Sequence, residues 1–258
     1  AMAAGCVPDA LPWDIPLIAH QAGFQSSGMW VDANTTWDKN ALNKTKDSLK
    51  KTEIQLIDVE VTWLEGDDNL NDSQKLIIDV GLELAAKNIL VVSRHNDYDK
   101  ALNQFYKMCE YADKNIKVCI EFGEFTTVKS LRKAIDFVNK INHPVAGILI
   151  DLMHINRSKE NIPDLNNPIF SYIQGCDFYQ SSKKLIGDNY IMAAIDDRCC
   201  LGHGEAIKEE IEKMCKSDLD VSLEIRSKDL RDKFPDPYER ASYIFKNCIR
   251  EDYYRLEN

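Results

Sequence analysis

The stretch IKVCIEF at residues 116–122 is a short run of β-branched and aliphatic residues that ends beside a carboxylate, and AGILIDL at residues 146–152 repeats this design. A segment with helical periodicity, residues 128–141, lies between them. Continuous apolar runs of this length are typical of strands that are covered on both faces. A helix between two such runs predicts parallel pairing, because parallel strands need a long crossover connection. The stretch therefore indicates an α/β fold.

The same alternation continues through the rest of the chain. We predict strands at residues 2–7, 28–31, 54–61, 89–93, 116–122, 146–152, 170–176 and 221–225. Helices are predicted at residues 14–22, 40–51, 73–87, 98–114, 128–141, 205–216 and 237–254. Eight strands that alternate with helices favour one (β/α)8 barrel, a TIM barrel, as a single domain over residues 1–258. A doubly wound open sheet is the alternative, but no G-x-G-x-x-G motif follows any predicted strand.

Composition and charge narrow the classes of partner. The 258 residues are 44% hydrophobic and 29% charged, which is ordinary for a globular protein, and the net charge is −10. An acidic surface disfavours nucleic acid and anionic membranes as partners. No segment approaches the roughly 18 apolar residues that span a bilayer, and the first residues lack the basic start of a secretory signal. None of the eight cysteines forms a C-x-x-C pair, so we expect reduced thiols and a cytoplasmic protein.

Polar residues recur where the predicted strands end, which is where the active site of a TIM barrel forms. These strand-end residues are Glu60, Arg94, His95, Glu121, Asp151, His154, Gln174, Asp177, Glu224 and Arg226. We expect Glu60 and Arg94 to contact a substrate, and Trp30, Trp63, Phe122 and Arg198 to form walls of the site.

Three of the strand-end carboxylates, Glu121, Asp151 and Glu224, come from different strands and are predicted to converge near the barrel axis. Their mutual repulsion raises their pKa values unless a cation lies among them. Carboxylate and amide oxygens suit Mn²⁺ or Mg²⁺, so the pattern favours a shared site for a divalent metal. The alternative is that each carboxylate pairs separately with a nearby Lys or Arg.

At these residues the chain resembles the xylose isomerase-like TIM barrels, the sugar phosphate isomerase/epimerase superfamily that also contains endonuclease IV. The segments that carry the resemblance are AGFQSSGMWVD (22–32), IDVEVTWLE (57–65), VCIEFGEF (118–125), GILIDLMHINRSKENIPDL (147–165), IFSYIQGCD (169–177), DDRCCLGHGE (196–205) and VSLEIRS (221–227). They occur in the order of the family and cover nearly the whole chain.

The resemblance implies roles for individual residues. Glu121, Asp151, Gln174 and Glu224 are the implied metal ligands, and Glu121 and Glu224 are also the implied catalytic acid–base pair. His154 is expected to hydrogen-bond the substrate, and Arg198 to contact a substrate hydroxyl or carboxylate. Gln174 stands where most metal-dependent members carry His, so the metal, Mn²⁺ or Mg²⁺ with Zn²⁺ as an alternative, is expected to bind more weakly. Leu201 replaces the usual proline of the R-x-x-P-G-x-G loop.

The implied activity is that of a metal-dependent isomerase or epimerase of a sugar, sugar phosphate or keto-polyol. One glutamate removes a proton α to a carbonyl, an enediolate forms, and the other glutamate returns a proton. The first alternative is dehydration of a keto-polyol acid that resembles 3-dehydroshikimate or inosose. The second is a non-catalytic sugar-binding barrel with a degenerate metal site. DNA repair of the endonuclease IV type is disfavoured, because it needs a histidine-rich zinc site and the chain has five His. A homodimer is compatible with the sequence.

Overall fold

The computed structural model describes residues 1–112, 114–179, 188–206 and 208–249. Seven strands form one parallel sheet in the order β1-β2-β3-β4-β5-β6-β9. Their bounds are β1 Ser26–Trp30, β2 Gln55–Leu64, β3 Asn88–Ser93, β4 Lys117–Glu121, β5 Ala146–Asp151, β6 Phe170–Gly175 and β9 Val221–Leu223. Two further short strands, β7 Asp177–Phe178 and β8 Arg198–Cys199, pair antiparallel with each other.

The sheet closes into a barrel through the N-terminal segment. Met2 forms parallel bridges to Ser27 of β1 and to Leu223 of β9, and so occupies the position of an eighth strand. The Met2 amide donates to the Ser26 carbonyl at 2.9 Å, and the Ala3 amide donates to the Leu223 carbonyl at 3.0 Å. This closure confirms the predicted barrel and excludes the open-sheet alternative.

Helices connect the strands and cover the outside of the barrel. They are α1 Ile15–Ala22, α2 Lys39–Thr52, α3 Asp72–Glu83, α4 Tyr98–Tyr111, α5 Leu131–Ile141, α6 Leu152–Arg157, α7 Asp188–Asp196, α8 Lys208–Cys215, α9 Lys228–Lys233 and α10 Pro237–Cys248. Side chains cap several of them; for example, Asn71 and Gln74 form a capping box at the start of α3. Within the described residues, no helix combines the length and apolarity needed to cross a membrane.

Strand periodicity separates the outer core from the barrel interior. Ile120, Ile150 and Ile173 belong to the large cluster that packs under the helices. The alternate residues Cys119, Leu149 and Tyr172 belong to a smaller, separate cluster, which we assign to the interior of the barrel. Since side chains two residues apart share a face, Glu121, Asp151 and Gln174 lie on the interior face, above that small cluster.

The sequence prediction differs from the structure mainly at element ends. The predicted strand at residues 2–7 is reduced to the bridge at Met2, and Ala4–Cys6 form a 3-10 turn. The helices α6, α7 and α9 and the antiparallel β7–β8 pair were not predicted. Part of the last predicted helix, residues 250–254, lies outside the described residues.

Arg240 on α10 links the two ends of the chain. Its guanidinium is buried and makes two hydrogen bonds to the Asp9 carboxylate, at 2.6 and 2.8 Å, and one to the Cys6 carbonyl at 3.3 Å.

We expect Arg240→Met to lower the free energy of unfolding by about 2–3 kcal/mol, since charge-assisted hydrogen bonds and buried ion pairs are costly to break. Urea denaturation measures this change. Lys246→Met, at an exposed position of the same helix, is the control, and an equal loss in both variants would contradict the prediction.

Candidate active site

A cavity of about 530 Å³ opens at the carboxyl ends of the barrel strands. Nine of the residues that the sequence singles out line it: Trp30, Glu60, Trp63, Arg94, Glu121, His154, Arg198, Glu224 and Arg226. Asp151 and Gln174 are completely buried and do not line the cavity. Of the residues predicted as metal ligands, catalytic groups or substrate contacts, the structure therefore brings all but Asp151 and Gln174 to one cavity, and these two are buried nearby on β5 and β6.

Asp151 has both carboxylate oxygens occupied by donors. It ends β5 and caps α6, so that Oδ1 accepts a hydrogen bond from the His154 backbone amide at 3.0 Å. Oδ2 accepts from Arg198 Nη1 at 2.8 Å. Burial acts to raise the pKa of Asp151, but the charges of Arg198 and His154 and these hydrogen bonds outweigh burial and lower it to about 2. Asp151 is therefore a carboxylate at neutral pH.

Arg198 lies between two of the predicted ligands. The same atom that contacts Asp151, Nη1, is 3.0 Å from Glu224 Oε2, and Nε donates to the Ala194 carbonyl at 2.9 Å. The side chain is almost fully buried. Since an unpaired buried guanidinium is costly, the two carboxylates and Arg198 stabilise one another as a group.

Glu121 and His154 form a second cluster that also includes Asp151. His154 Nε2 lies 3.6 Å from Glu121 Oε1, and ligand atoms of the three residues all lie within 4.8 Å of one another. His154, predicted as a substrate contact, thus lies within reach of the predicted metal ligands. Among the described residues, its Nδ1 atom has no hydrogen-bond partner.

Gln174 on β6 sits beside Asp151, since the two residues are paired in register. It is completely buried, yet neither its amide oxygen nor its amide nitrogen has a partner among the described residues. A buried amide usually finds hydrogen bonds or ligands, so this side chain has a free oxygen to offer to a cation.

Burial and like charges raise the pKa values of two cavity glutamates well above their usual range. For Glu60 the largest cause is burial, followed by repulsion from Asp58, Glu224 and Glu121. For Glu224 burial is again the largest cause; Arg198 opposes it, and Asp151 and Glu121 add to it. The barrel interior therefore crowds acidic groups, as the sequence predicts.

Aromatic and cationic side chains form the rim of the cavity. The Arg94 guanidinium stacks on the Trp63 ring, with its central carbon 3.2 Å from the ring centre. Arg226 lies over Trp30 at 5.8 Å and also contacts Asp196 at 3.5 Å. The prediction that Phe122 forms a wall of the site is wrong. Phe122 directly follows Glu121, so its side chain points to the opposite face, and it lies in the outer core. Phe125, together with Ile191 and Ile195 of α7, lines the cavity instead.

Asp177 organises the glycine loop that follows Arg198, a role that the sequence did not reveal. Its Oδ2 accepts from the amides of Gly202 and Gly204 at 3.0 and 2.9 Å, and its Oδ1 accepts from the Ala206 amide at 2.8 Å. A Cβ at Gly204 would lie 2.4 Å from Asp177 Oδ1, so only glycine fits there. The G-x-G spacing was the available signal, but its partner 25 residues or more upstream could not be inferred.

The model of the xylose isomerase-like TIM barrel family matches residues 17–245. The chain belongs to this family. This membership confirms the resemblance carried by the motifs at Glu121, Asp151 and Glu224. No curated protein sequence matches the chain.

Solved structures of this family share the fold at low sequence identity. An IolI protein with a bound zinc atom has a TM-score of 0.75 at 14% identity, with 99% of each chain covered. A probable 3-DHS dehydratase, AsbF of Bacillus anthracis, has a TM-score of 0.73 at 15% identity, with 95% of this chain and 96% of that chain covered. A D-allulose 3-epimerase from Methylomonas sp. has a TM-score of 0.66 at 13% identity, with 95% and 94% covered. The chain spans 41% of a further match, a fusion of such a barrel with 4-hydroxyphenylpyruvate dioxygenase.

The donor set of the site suits a divalent cation. It combines the carboxylates of Glu121 and Asp151, the imidazole of His154 and the unpartnered amide of Gln174. Oxygen donors favour Mg²⁺ or Mn²⁺, and an imidazole nitrogen also suits Zn²⁺, so the donors alone do not select one metal.

Proposed function

We propose that this chain is an isomerase or epimerase of a small sugar or keto-polyol, and that it moves a proton at the carbon next to a carbonyl. The observation that carries the proposal is that Glu121 and Glu224 line the same cavity although β5 and β6 separate their strands. Two carboxyl groups on different sides of a substrate can remove a proton from one face and return it to the other, which is the chemistry of epimerisation.

The surrounding residues support this use of the two glutamates. Proton removal leaves negative charge on the substrate oxygens, and Arg198 and His154 are two donors that line the cavity and contact the glutamates. We propose that Glu121, Asp151, Gln174 and Glu224, with His154 as an additional candidate, hold a divalent metal. A bound divalent cation supplies Lewis-acid polarisation of the carbonyl. Hydrophobic residues of α7 line part of the cavity.

Solvent deuterium exchange tests the proposed function. The protein, supplied with Mn²⁺, is incubated with D-allulose, D-fructose or 3-dehydroshikimate in D₂O, and the substrate is followed by NMR. We expect deuterium to appear at the carbon next to the carbonyl of at least one substrate. A lack of exchange with every substrate would favour the non-catalytic sugar-binding alternative.

The rim of the cavity favours a second candidate, dehydration of a keto-polyol acid. Arg94 stacks on Trp63 at the cavity, and the described residues supply no ion-pair partner for its guanidinium, although Glu65 acts on it at longer range. A guanidinium held over an indole ring can bind a substrate carboxylate with two hydrogen bonds. A neutral sugar has no group that requires this cation.

Arg94→Met distinguishes the two candidates. A charge-assisted hydrogen bond contributes about 1.5–3 kcal/mol, so we expect the variant to raise KM for 3-dehydroshikimate by about 10–100-fold. For a neutral ketohexose we expect a change of less than about threefold, because no charged group is lost from that complex. Steady-state kinetics on both substrates provide the measurement. An equal rise in KM for the acid and the neutral sugar would show that Arg94 only supports the cavity wall.

A further inference from the structure

The contacts of Arg198 carry an inference that rests on the proposed metal site and goes beyond it. The two ligand carboxylates of Asp151 and Glu224 meet at a single guanidinium nitrogen, Nη1, at 2.8 and 3.0 Å. One oxygen of each carboxylate, Asp151 Oδ2 and Glu224 Oε2, is thus already in contact with a positive charge from the chain itself. Arg198 is 4% exposed and Asp151 is 0% exposed, so solvent screens this arrangement very little.

Two groups donate hydrogen bonds to Asp151, and only one of them can move without a change in the fold. The His154 backbone amide, which donates to Oδ1, belongs to the first turn of α6 and is fixed by that helix. Arg198 donates from the end of a long side chain that also lines the cavity, so rotation of its outer bonds can carry the guanidinium into that space. A divalent cation and a guanidinium that share the same oxygens in a buried site also repel each other strongly.

We propose that Arg198 is an internal counter-cation for Asp151 and Glu224, and that a divalent cation which binds these carboxylates displaces the Arg198 guanidinium into the cavity. The N–H groups of the Arg198 guanidinium are then free to donate hydrogen bonds to the substrate. Metal binding and substrate binding are coupled in consequence, and the metal-free site is held together by its own arginine. Because Arg198 competes with the metal for these carboxylates, the affinity of this chain for a metal is low.

Titration with Mn²⁺, followed by the electron paramagnetic resonance signal of the free ion, tests this proposal. We expect Arg198→Met to bind Mn²⁺ at least tenfold more tightly than the wild-type chain. Arg226→Met removes an equal charge from the same cavity, but Arg226 contacts Asp196 and neither ligand carboxylate. We expect its affinity to stay within about threefold of wild type, since through-space attraction between partly exposed charges is weak. Equal or weaker Mn²⁺ binding by Arg198→Met would overturn the proposal, as would an equal gain in Arg226→Met.

Chemical labelling of Arg198 tests the displacement independently of any catalytic activity. Labelling with phenylglyoxal, followed by mass spectrometry, is expected to modify Arg198 only after Mn²⁺ is added, because the guanidinium is buried without it. Labelling that does not change with Mn²⁺ would overturn the displacement. If Arg198→Met fails to fold, Arg198→Gln, which removes the charge but keeps a hydrogen-bond donor, is titrated in its place, and tighter binding is again expected. If neither the wild-type chain nor any variant binds Mn²⁺, the displacement is wrong, whereas the deuterium-exchange assay still tests the proposed function separately.

Discussion

Replacing Glu121 or Glu224 by Gln is expected to lower the rate of solvent deuterium exchange into the substrate by about 10²–10⁴-fold, the range that a positioned acid or base contributes. Both side chains line the cavity, and glutamine keeps their size and hydrogen-bonding capacity while it removes the transferable proton. The effect should appear in kcat more than in KM, since the proton moves only in the transition state. The measurement is the rate of deuterium incorporation, followed by NMR.

The control for these variants is Glu239→Gln, at an exposed position on α10 that does not line the cavity. It removes one carboxylate from the molecule without touching the site. We expect its exchange rate to equal that of the wild-type chain. Unchanged exchange in both Glu121→Gln and Glu224→Gln would contradict the mechanism. A loss in only one of them would indicate that a single residue moves the proton on both faces.

The second large effect concerns stability and pH. Asp58 on β2 is completely buried, and burial raises its pKa from the usual value near 3.8 to about 7, with repulsion from Glu121 as an additional cause. The Asp58 carboxyl packs tightly against Gly28 of β1, since a Cβ added at Gly28 would lie 2.4 Å from Asp58 Oδ1. The folded chain therefore binds a proton at Asp58 that the unfolded chain releases at lower pH.

The sign of the pH dependence follows from linkage. Between pH values of about 4 and 7 the folded state binds more protons at Asp58 than the unfolded state, so stability falls as pH rises through this window and levels off above it. Since a tenfold change in proton affinity corresponds to about 1.36 kcal/mol, the loss across this window is about 4 kcal/mol as an upper bound. We expect Asp58→Asn to be more stable than wild type at pH 8, by about 2–4 kcal/mol, and to gain less or nothing at pH 5.

Urea denaturation at pH 5 and at pH 8 measures both values. Glu60 and Glu224 also have raised pKa values, so the wild-type chain keeps a further pH dependence, and the comparison is the difference between variant and wild type. Asp218→Asn, at an exposed position before β9, is the matched control and should show no difference at either pH. A gain for Asp58→Asn that is equal at pH 5 and pH 8 would contradict a proton-linked origin.

The barrel and its site could be predicted from sequence where the relevant signal is local. The apolar runs at residues 116–122 and 146–152 predict β4 and β5, and their last polar residues, Glu121 and Asp151, do lie on the interior face. Period-two alternation and the rule that parallel strands present their carboxyl ends together are sufficient for that prediction. Neither requires knowledge of which side chains meet.

Pairings between distant residues could not be predicted, because they depend on the closed barrel and its loops. The metal prediction takes Asp151 and Glu224 as free ligands, whereas both contact Arg198, which lies 47 residues from Asp151 in sequence. Asp58 falls within an apolar run, and a single carboxyl in such a run gives no sign of its partners. The helix α7 supplies part of the cavity wall, and its apolar residues form one continuous run at 191–195, whose periodicity does not separate a helix from a strand.

The proposed chemistry depends on carboxylates from distant strands that share one cation at the carboxyl end of the barrel. Anomalous diffraction from crystals of the wild-type chain soaked in Mn²⁺ tests this directly, because the signal locates the ion without reference to activity. We expect one strong peak in contact with Glu121, Asp151 and Glu224, with the Arg198 guanidinium moved away from Asp151. A peak elsewhere, with Arg198 still bound to both carboxylates, would show that these residues do not form a metal site.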